Sequence, residues 1–404
     1  MVPEARAQFL STWSEAQYAA LLDRLHTYLG AKIEFRISET PCFFPSSLMH
    51  QLVDNAHELL DQLLDNTEYR HAADAVVPDR FRLAHGEDLP TCVQVDFGLV
   101  RQPDGSVEGR LVELQAFPSL YGFQALLAAE TTSGHVSADG PAHHCFLDGL
   151  DWDGYRELMR RVLVGPHDPS EVVLMEIQPE RQKTRPDFIV TERVWGIRAV
   201  DTTAVRREGR KLFYMRDGAW TQIKRIYNRV IPDELERSGA AMPFDYRDDL
   251  DVEWIGGPDW YFRISKYSIP WLKHSWVPET HYLSEVKTMP ADREEWLLKP
   301  LFSFAGGGII FAPSDADIAA IPAQDRHLYI LQRKVAFTPV IETPHGPTQA
   351  ELRIMMVRDP DAVPGGPRYR AVLPLVRMGR GKMMGVDHNK GLAFVGASAA
   401  LIID

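Results

Sequence analysis

Cysteine is scarce: Cys42, Cys92 and Cys145 are the only three in 404 residues, and none belongs to a CxxC pair. That argues against a disulfide framework and against a zinc site, and makes a reducing cytoplasm the natural compartment. No apolar run approaches a membrane span, and the amino-terminal MVPEARAQFLSTW lacks a signal-peptide hydrophobic region. Positive charge is in deficit, with a formal net charge of −12 at pH 7, which disfavours nonspecific nucleic-acid binding. The basic run Arg206, Arg207, Arg210, Lys211 reads as a solvated hairpin. Repeats and low-complexity segments are absent. So are GxSxG, the Walker GxxxxGK[ST] and the Rossmann GxGxxG, which leaves no signature for a nucleophilic serine or for those two nucleotide-binding loops.

What remains is ordinary globular usage, 45% hydrophobic and 25% charged, long enough for two or three structural units. SEAQYAALLDRLHTYLG (14–30) predicts an amphipathic helix with a Ser14/Gln17 capping box and Gly30 as its stop. A second helix is expected over about 46–64, with Leu48, Leu52, Ala56, Leu59 and Leu63 on one stripe. A hairpin follows near 92–116, then helices to about 164. Short strands and helices alternate from VVLMEI (172–177) to KRIYNR (224–229), an α/β pattern. Gly256-Gly257-Pro258 marks a boundary. Beyond it HLYILQRKV (327–335), AELRIMMVRD (350–359) and YRAVLPLVRMG (369–379) suggest antiparallel strands. The fold class is α+β with an inserted α/β lobe. Four units are expected: a helical segment over 1–90, an acidic hairpin with helices over 91–165, the α/β lobe over 166–257, and a lysine- and glycine-bearing unit over 258–404.

Two stretches carry chemistry. In WLLKPLFSFAGGGIIF (296–311) a lysine closes an apolar strand ahead of a Ser/Gly-rich loop. Lys299 is costly to desolvate unless an anion meets it. Gly306, Gly307 and Gly308 allow close backbone approach and expose N–H donors, which suits phosphate. An ordinary hairpin with a solvated lysine fits the same letters. In CVQVDFGLVRQPDGSVEGRLVELQAF (92–117) a two-residue Asp104-Gly105 turn pairs Phe97 with Val112, Val95 with Leu114 and Val93 with Ala116 as one apolar face. Asp96 then faces Glu113, and Gln94 faces Gln115. Opposed carboxylates repel by about 0.2–1 kcal/mol. A divalent cation reverses that, and Asp96, Glu113 and the Gln115 carbonyl are hard oxygen ligands suited to Mg²⁺. Solvation, or pairing with arginines, satisfies the carboxylates equally well. Arg353 and Arg377 sit on apolar strands, where a planar fork suits a carboxylate, a transferring phosphoryl group or a structural ion pair.

Together these segments resemble the ATP-grasp superfamily in its circularly permuted, glutathionylspermidine synthase-like branch. Asp96 followed by VELQAFPSLYGFQ (112–124) is similar to that branch's D…ExN…P pattern, with Gln115 where the family has a metal-binding asparagine. DWYFRISKYSIPWLKHSWVPET (259–280), LLKPLFSFAGGG, YILQRKV (329–335), AELRIMMV (350–357) and LPLVRMGRGK (373–382) follow in the family's order.

The resemblance implies two α+β subdomains clasping ATP, with a pre-ATP-grasp-like lobe inserted. It implies ATP and Mg²⁺ as cofactors, with the metal on Asp96, Glu113 and Gln115. An unpermuted order would instead use Glu351 and Asn389, in the DHN at 387–389. Lys266 and Lys299 would contact phosphates, and the loop containing Ser303, Gly306, Gly307 and Gly308 would fold over them. Gln332, with the backbone of Lys334 and Val335, would hold adenine, and Glu342 the ribose. Arg353 and Arg377 would be catalytic; separately, Arg225 and Arg229 flank Tyr227 at alternate positions, a spacing that would let them face the acceptor. The activity implied is ATP-dependent ligation of a small carboxylate to an amine through an acyl phosphate, with no nucleic-acid or membrane partner. An ATP-grasp phosphotransferase and a nucleotide binder without turnover are the alternatives.

Overall fold

The computed structural model describes residues 1–136, 140–303, 306–363, 365–385, 389 and 391–404. Two helices open the chain, α1 (Pro3–Thr12) and α2 (Glu15–Leu29). The α2 cap is reciprocal, Ser14 Oγ accepting the Gln17 N–H while Gln17 Oε1 accepts the Ser14 N–H, and Gly30 ends the helix at φ 62°. Strand β1 (Cys42–Pro45) leads into α3 (Ser46–Asp65) and α4 (Thr67–Ala75). The predicted Leu48, Leu52, Ala56, Leu59, Leu63 stripe of α3 is buried.

The acidic hairpin is β2 (Cys92–Arg101) and β3 (Val107–Gln115), followed by α5 (Tyr121–Gly134) and α6 (Trp152–Leu163). Its turn differs from the two-residue expectation. Gln102 N–H donates to Ser106 O at 2.8 Å, Gly105 N–H to Gln102 O at 2.9 Å, and Gly105 lies at φ 87°. Pro103 fixes the backbone of a three-residue loop, the turn family next in frequency for hairpins. The outer register is therefore one residue out, Arg101 facing Val107 and Phe97 facing Leu111 rather than Val112. A bulge at Val112 restores it, and Asp96 faces Glu113, Val95 faces Leu114 and Gln94 faces Gln115.

The α/β segment runs β4 (Val172–Glu176), α7 (Arg185–Trp195), β5 (Arg198–Asp201), the three-stranded meander β6 (Arg206–Glu208), β7 (Lys211–Arg216) and β8 (Ala219–Ile223), then β9 (Arg225–Asn228), α8 (Pro232–Ser238) and β10 (Glu253–Ile255). Its sheet, ordered β10-β9-β4-β5, is wholly parallel. The basic run lies on the exposed β6–β7 hairpin, with Arg207 and Arg210 paired to Asp248, Asp249 and Asp251.

After α9 (Trp260–Arg263) come β11 (Thr280–Tyr282), β12 (Trp296–Pro300), β13 (Ile310–Phe311), α10 (Asp315–Ala319) and β14 (Tyr329–Arg333). An antiparallel sheet β11-β14-β12-β13 results. The chain ends in β15 (Gln349–Val357), β16 (Arg370–Gly379) and β17 (Gly396–Ile403). These join the hairpin in a six-stranded sheet ordered β1-β17-β16-β15-β2-β3, antiparallel except for β1 beside β17. Neither β1 nor β17 was expected from the sequence.

The central sheet explains where the site lies. One face packs Leu352, Ile354 and Val376 against the α3 leucines. On the other face Met355, Leu373 and Leu375 meet Tyr121, Ala125 and Tyr155 of α5 and α6. Further along that second face the side chains turn polar: Gln94 and Asp96 on β2, Glu113 and Gln115 on β3, Glu351 and Arg353 on β15, Arg377 on β16. Alternation at period two makes them one surface.

Candidate functional site

Strand register builds the floor of the site. Arg353 pairs with Asp96 across β15 and β2, and Glu351 with Arg377 across β15 and β16. The Asp96 carboxylate, 1% exposed, accepts Arg353 Nε on Oδ1 at 2.6 Å and Arg353 Nη2 on Oδ2 at 2.7 Å. Oδ2 also accepts Arg377 Nη2 at 2.5 Å. Gln94 Oε1 accepts Arg353 Nη1 at 2.8 Å while its amide nitrogen donates to Ser119 O at 2.7 Å. Gln115, its oxygen turned to Arg353, accepts Nη1 at 2.8 Å and Nη2 at 2.6 Å. Arg377 Nη2 further ion-pairs with Glu351.

Electrostatics follow from burial and these partners. Burial raises the Asp96 carboxyl, but Arg353 and Arg377 together hold it below the usual carboxylate range. Burial pushes Glu351 up to about 7 against the pull of Arg377, helped by the nearby negative charge of Asp96 and Glu113. Arg377 is raised because Glu351, Asp96 and Glu113 outweigh its burial.

Two lysines lie beside this floor, one on the 3₁₀ turn before β11 and one on β12 of the second sheet. Lys266 opens a 3₁₀ turn capped by Ser265, and its Nζ donates to Ser303 O at 2.7 Å and lies 3.9 Å from Glu113. Lys299 on β12 donates to Gln332 Oε1 of β14 at 2.5 Å, and Gln332 in turn donates to Thr280 Oγ1 at 3.3 Å. No carboxylate among the described residues lies within ion-pairing distance of Lys299. Burial lowers it to about 8, with Glu113 opposing and Lys266 reinforcing the shift. Lys266 is likewise lowered by burial, against Glu113.

The glycine loop hangs from the same lysine. Ser303 gives its carbonyl to Lys266, while its hydroxyl donates to Pro300 O at 3.3 Å. Gly306 and Gly308 adopt φ 75° and 73°; a Cβ on Gly306 would stand 2.2 Å from the Met383 methyl. The left-handed backbone favours glycine at both positions. Gly307 is exposed, and Phe304 and Ala305 lie outside the described residues.

Asp96, Glu113, Gln115, Lys266, Lys299, Ser303, Gln332, Arg353 and Arg377 thus converge. Other expected residues make their contacts elsewhere. The Lys334 N–H already donates to Glu295 O at 2.7 Å, and Val335 O accepts from Phe337 N–H at 3.1 Å. Glu342 is exposed, with its carbonyl taken by Arg6 Nε at 2.6 Å. Asn389 clamps the 380–385 loop, accepting from the Arg380 and Gly381 N–H groups and donating to Met383 O and Gly385 O. Asp387 lies outside the described residues. Arg229 is buried against Asp187 at 2.5 Å and stacked on Phe117 and Phe188, and Arg225 pairs with Glu253. Both are committed within the lobe, because a buried guanidinium needs its counter-ion. Gln94 went unassigned in the sequence reading; its signal was a polar residue two before Asp96 on a strand buried on both sides.

Magnesium fits this donor set poorly. Both oxygens of Asp96 and the oxygen of Gln115 already accept guanidinium N–H groups, and Glu351 is held by Arg377. No group of three or more His, Cys, Asp and Glu among the described residues is arranged to hold a metal ion.

The fold has a solved counterpart. A glutathione synthetase-like effector from Globodera pallida, solved in its apo form, superposes with a TM-score of 0.58 at 12% sequence identity, covering 100% of this chain and 99% of that one. Neither a family model nor a curated protein matches the sequence. The chain therefore shares the fold of that effector, and at this identity the likeness carries the fold alone. No helix among the described residues is long and apolar enough to cross a membrane.

Proposed function

We propose that this chain is an ATP-dependent carboxylate–amine ligase. The observation that carries the reading is Lys299. It is 5% exposed, held by one amide oxygen, and beside a second buried lysine that grips the glycine loop. Two desolvated ammonium groups without a carboxylate close enough to neutralise Lys299 favour an anion, and the glycine-bearing loop is tied beside them through Ser303 O. Polyphosphate answers both.

In the reaction proposed, a substrate carboxylate oxygen attacks the γ-phosphorus and the bond to the β–γ bridging oxygen breaks, giving an acyl phosphate and ADP. An amine then attacks the acyl carbon, inorganic phosphate departs and the amine loses a proton. Lys266 and Lys299 hold the phosphates, Arg377 neutralises charge at the transferring group, and Gln94, Asp96 and Gln115 fix the Arg353 fork. Positioning and charge neutralisation are what phosphoryl transfer asks of a protein. The three cysteines are buried, which leaves their thiols no route to a substrate.

A second reading, nucleotide binding without turnover, is favoured by the arginine grip on Asp96. One experiment separates the two. Incubation with ATP and pairs of amino acids, peptides and amines is read for ADP, phosphate and product mass. ADP with phosphate and an amide product supports the ligase; a phosphorylated product makes it a phosphotransferase; binding without ADP leaves the binder.

A further inference from the structure

We propose that the site takes a nucleotide polyphosphate as the free anion, with Arg353 and Arg377 occupying the carboxylate, Asp96, that the sequence resemblance assigns to a divalent cation. This rests on the nucleotide site common to both readings above.

Three observations carry it. Asp96, the most buried of the three carboxylates on the floor, receives three guanidinium N–H groups on two oxygens. Gln115, the third member of the expected ligand set, turns its oxygen to the same Arg353. Strand register fixes the arginines' places, since Arg353 is the cross-strand partner of Asp96 and Arg377 that of Glu351. Mg²⁺ requires near-octahedral oxygen at about 2.0–2.1 Å and gives up its waters reluctantly. To reach Asp96 it would have to expel Arg353, leaving a buried guanidinium without its partner, the costly half of any buried pair.

Charge complementarity points the same way. Four cations, Lys266, Lys299, Arg353 and Arg377, face three carboxylates, Asp96, Glu113 and Glu351. Glu113 has Lys266 alone as an ion contact among the described residues. An excess of positive charge favours the tetra-anion of free ATP over the dianion of its magnesium complex.

The test is a calorimetric titration of ATP into the full chain, once with EDTA and once with excess Mg²⁺. The expected result is binding in EDTA at least as tight as in magnesium. Asp96→Asn keeps the shape and frees the arginines, so free ATP should bind about 3- to 10-fold tighter, roughly one decade at most. Should that buried variant fail to fold, Glu113→Gln at the half-exposed position serves, with tightening again expected. Binding seen only with magnesium overturns the proposal, as does loss of binding in Glu113→Gln. Absence of binding in both conditions rejects the nucleotide reading itself, and this inference with it.

Discussion

Arg353 meets Asp96 through two near-parallel hydrogen bonds, Nε to Oδ1 at 2.6 Å and Nη2 to Oδ2 at 2.7 Å, between cross-strand neighbours in the middle of the six-stranded sheet. The geometry is the bidentate fork that sets arginine apart from lysine. Both groups are buried, so these bonds, with Arg377 on Asp96 and Gln94 on Arg353, take the place of solvent.

Arg353→Ala should therefore cost about 3–5 kcal/mol of stability, the penalty for stranding a buried charge. Adding Asp96→Asn to Arg353→Ala should recover part of that loss. Denaturant unfolding of the wild type and these two variants measures it. A single mutant within about 1 kcal/mol of wild type would mean the pair is not formed.

Glu351 offers a pH test. Burial lifts its folded carboxyl to about 7 from an ordinary 4.5. Between those values the folded chain binds more protons than the unfolded one, so stability falls as pH rises through that window. Glu351→Gln removes the slope. It should be more stable than wild type at pH 8, by on the order of 2 kcal/mol, and near parity at pH 4. Equal melting differences at both pH values would contradict this.

The glycine loop gives a third. Gly306→Ala places a side chain at φ 75° and against the Met383 methyl. A left-handed residue alone costs about 1–2 kcal/mol. Shortening the neighbour, as Gly306→Ala/Met383→Ala, relieves the clash but not the backbone. ATP affinity should fall in the single variant and recover only partly in the double one. Full recovery would mean the backbone conformation at Gly306 is unimportant.

Much of the floor was legible from the sequence. The Asp96–Glu113 and Gln94–Gln115 pairs followed from alternation and the need to bury Val93, Val95 and Leu114, although the turn was misjudged. Two register errors cancelled: Pro103 lengthened the loop by one and the Val112 bulge returned the residue. Lys299 stood out because a lysine on a buried strand needs an explanation. The partners of Asp96 were not legible as such. Pairing with arginine and binding of a metal explain the same letters, and only the order β16-β15-β2-β3 decides which groups touch. Strands β1 and β17 were missed because parallel pairing between the two ends of a chain leaves no local pattern. The occupied Lys334 N–H was likewise invisible, being set by Glu295, a residue in another loop.

Nucleotide binding should move a proton at Lys299. Its ammonium is lowered by burial to about 8, so near that pH the free site is only partly protonated. A phosphate beside it restores the charge. The bound state then holds more protons, and affinity should fall as pH rises above about 8, by at most roughly tenfold per unit. Titrations at pH 8 in buffers of different ionisation enthalpy should show uptake of a fraction of a proton. No dependence on buffer would count against phosphate at Lys299.

The most direct test is Lys299→Met, followed by two readings on one sample. A buried ammonium whose pKa is depressed from 10.5 to about 8 destabilises the folded chain at neutral pH, and that cost is relieved as pH rises from about 8 to 10.5. Removing it should raise the melting temperature of the nucleotide-free protein at pH 7. The same change deletes a charge-assisted contact worth about 1.5–3 kcal/mol, so ATP affinity should drop by roughly ten- to a hundredfold. A more stable protein that binds ATP more weakly is the predicted result. Unchanged ATP affinity in a folded Lys299→Met variant would contradict the account.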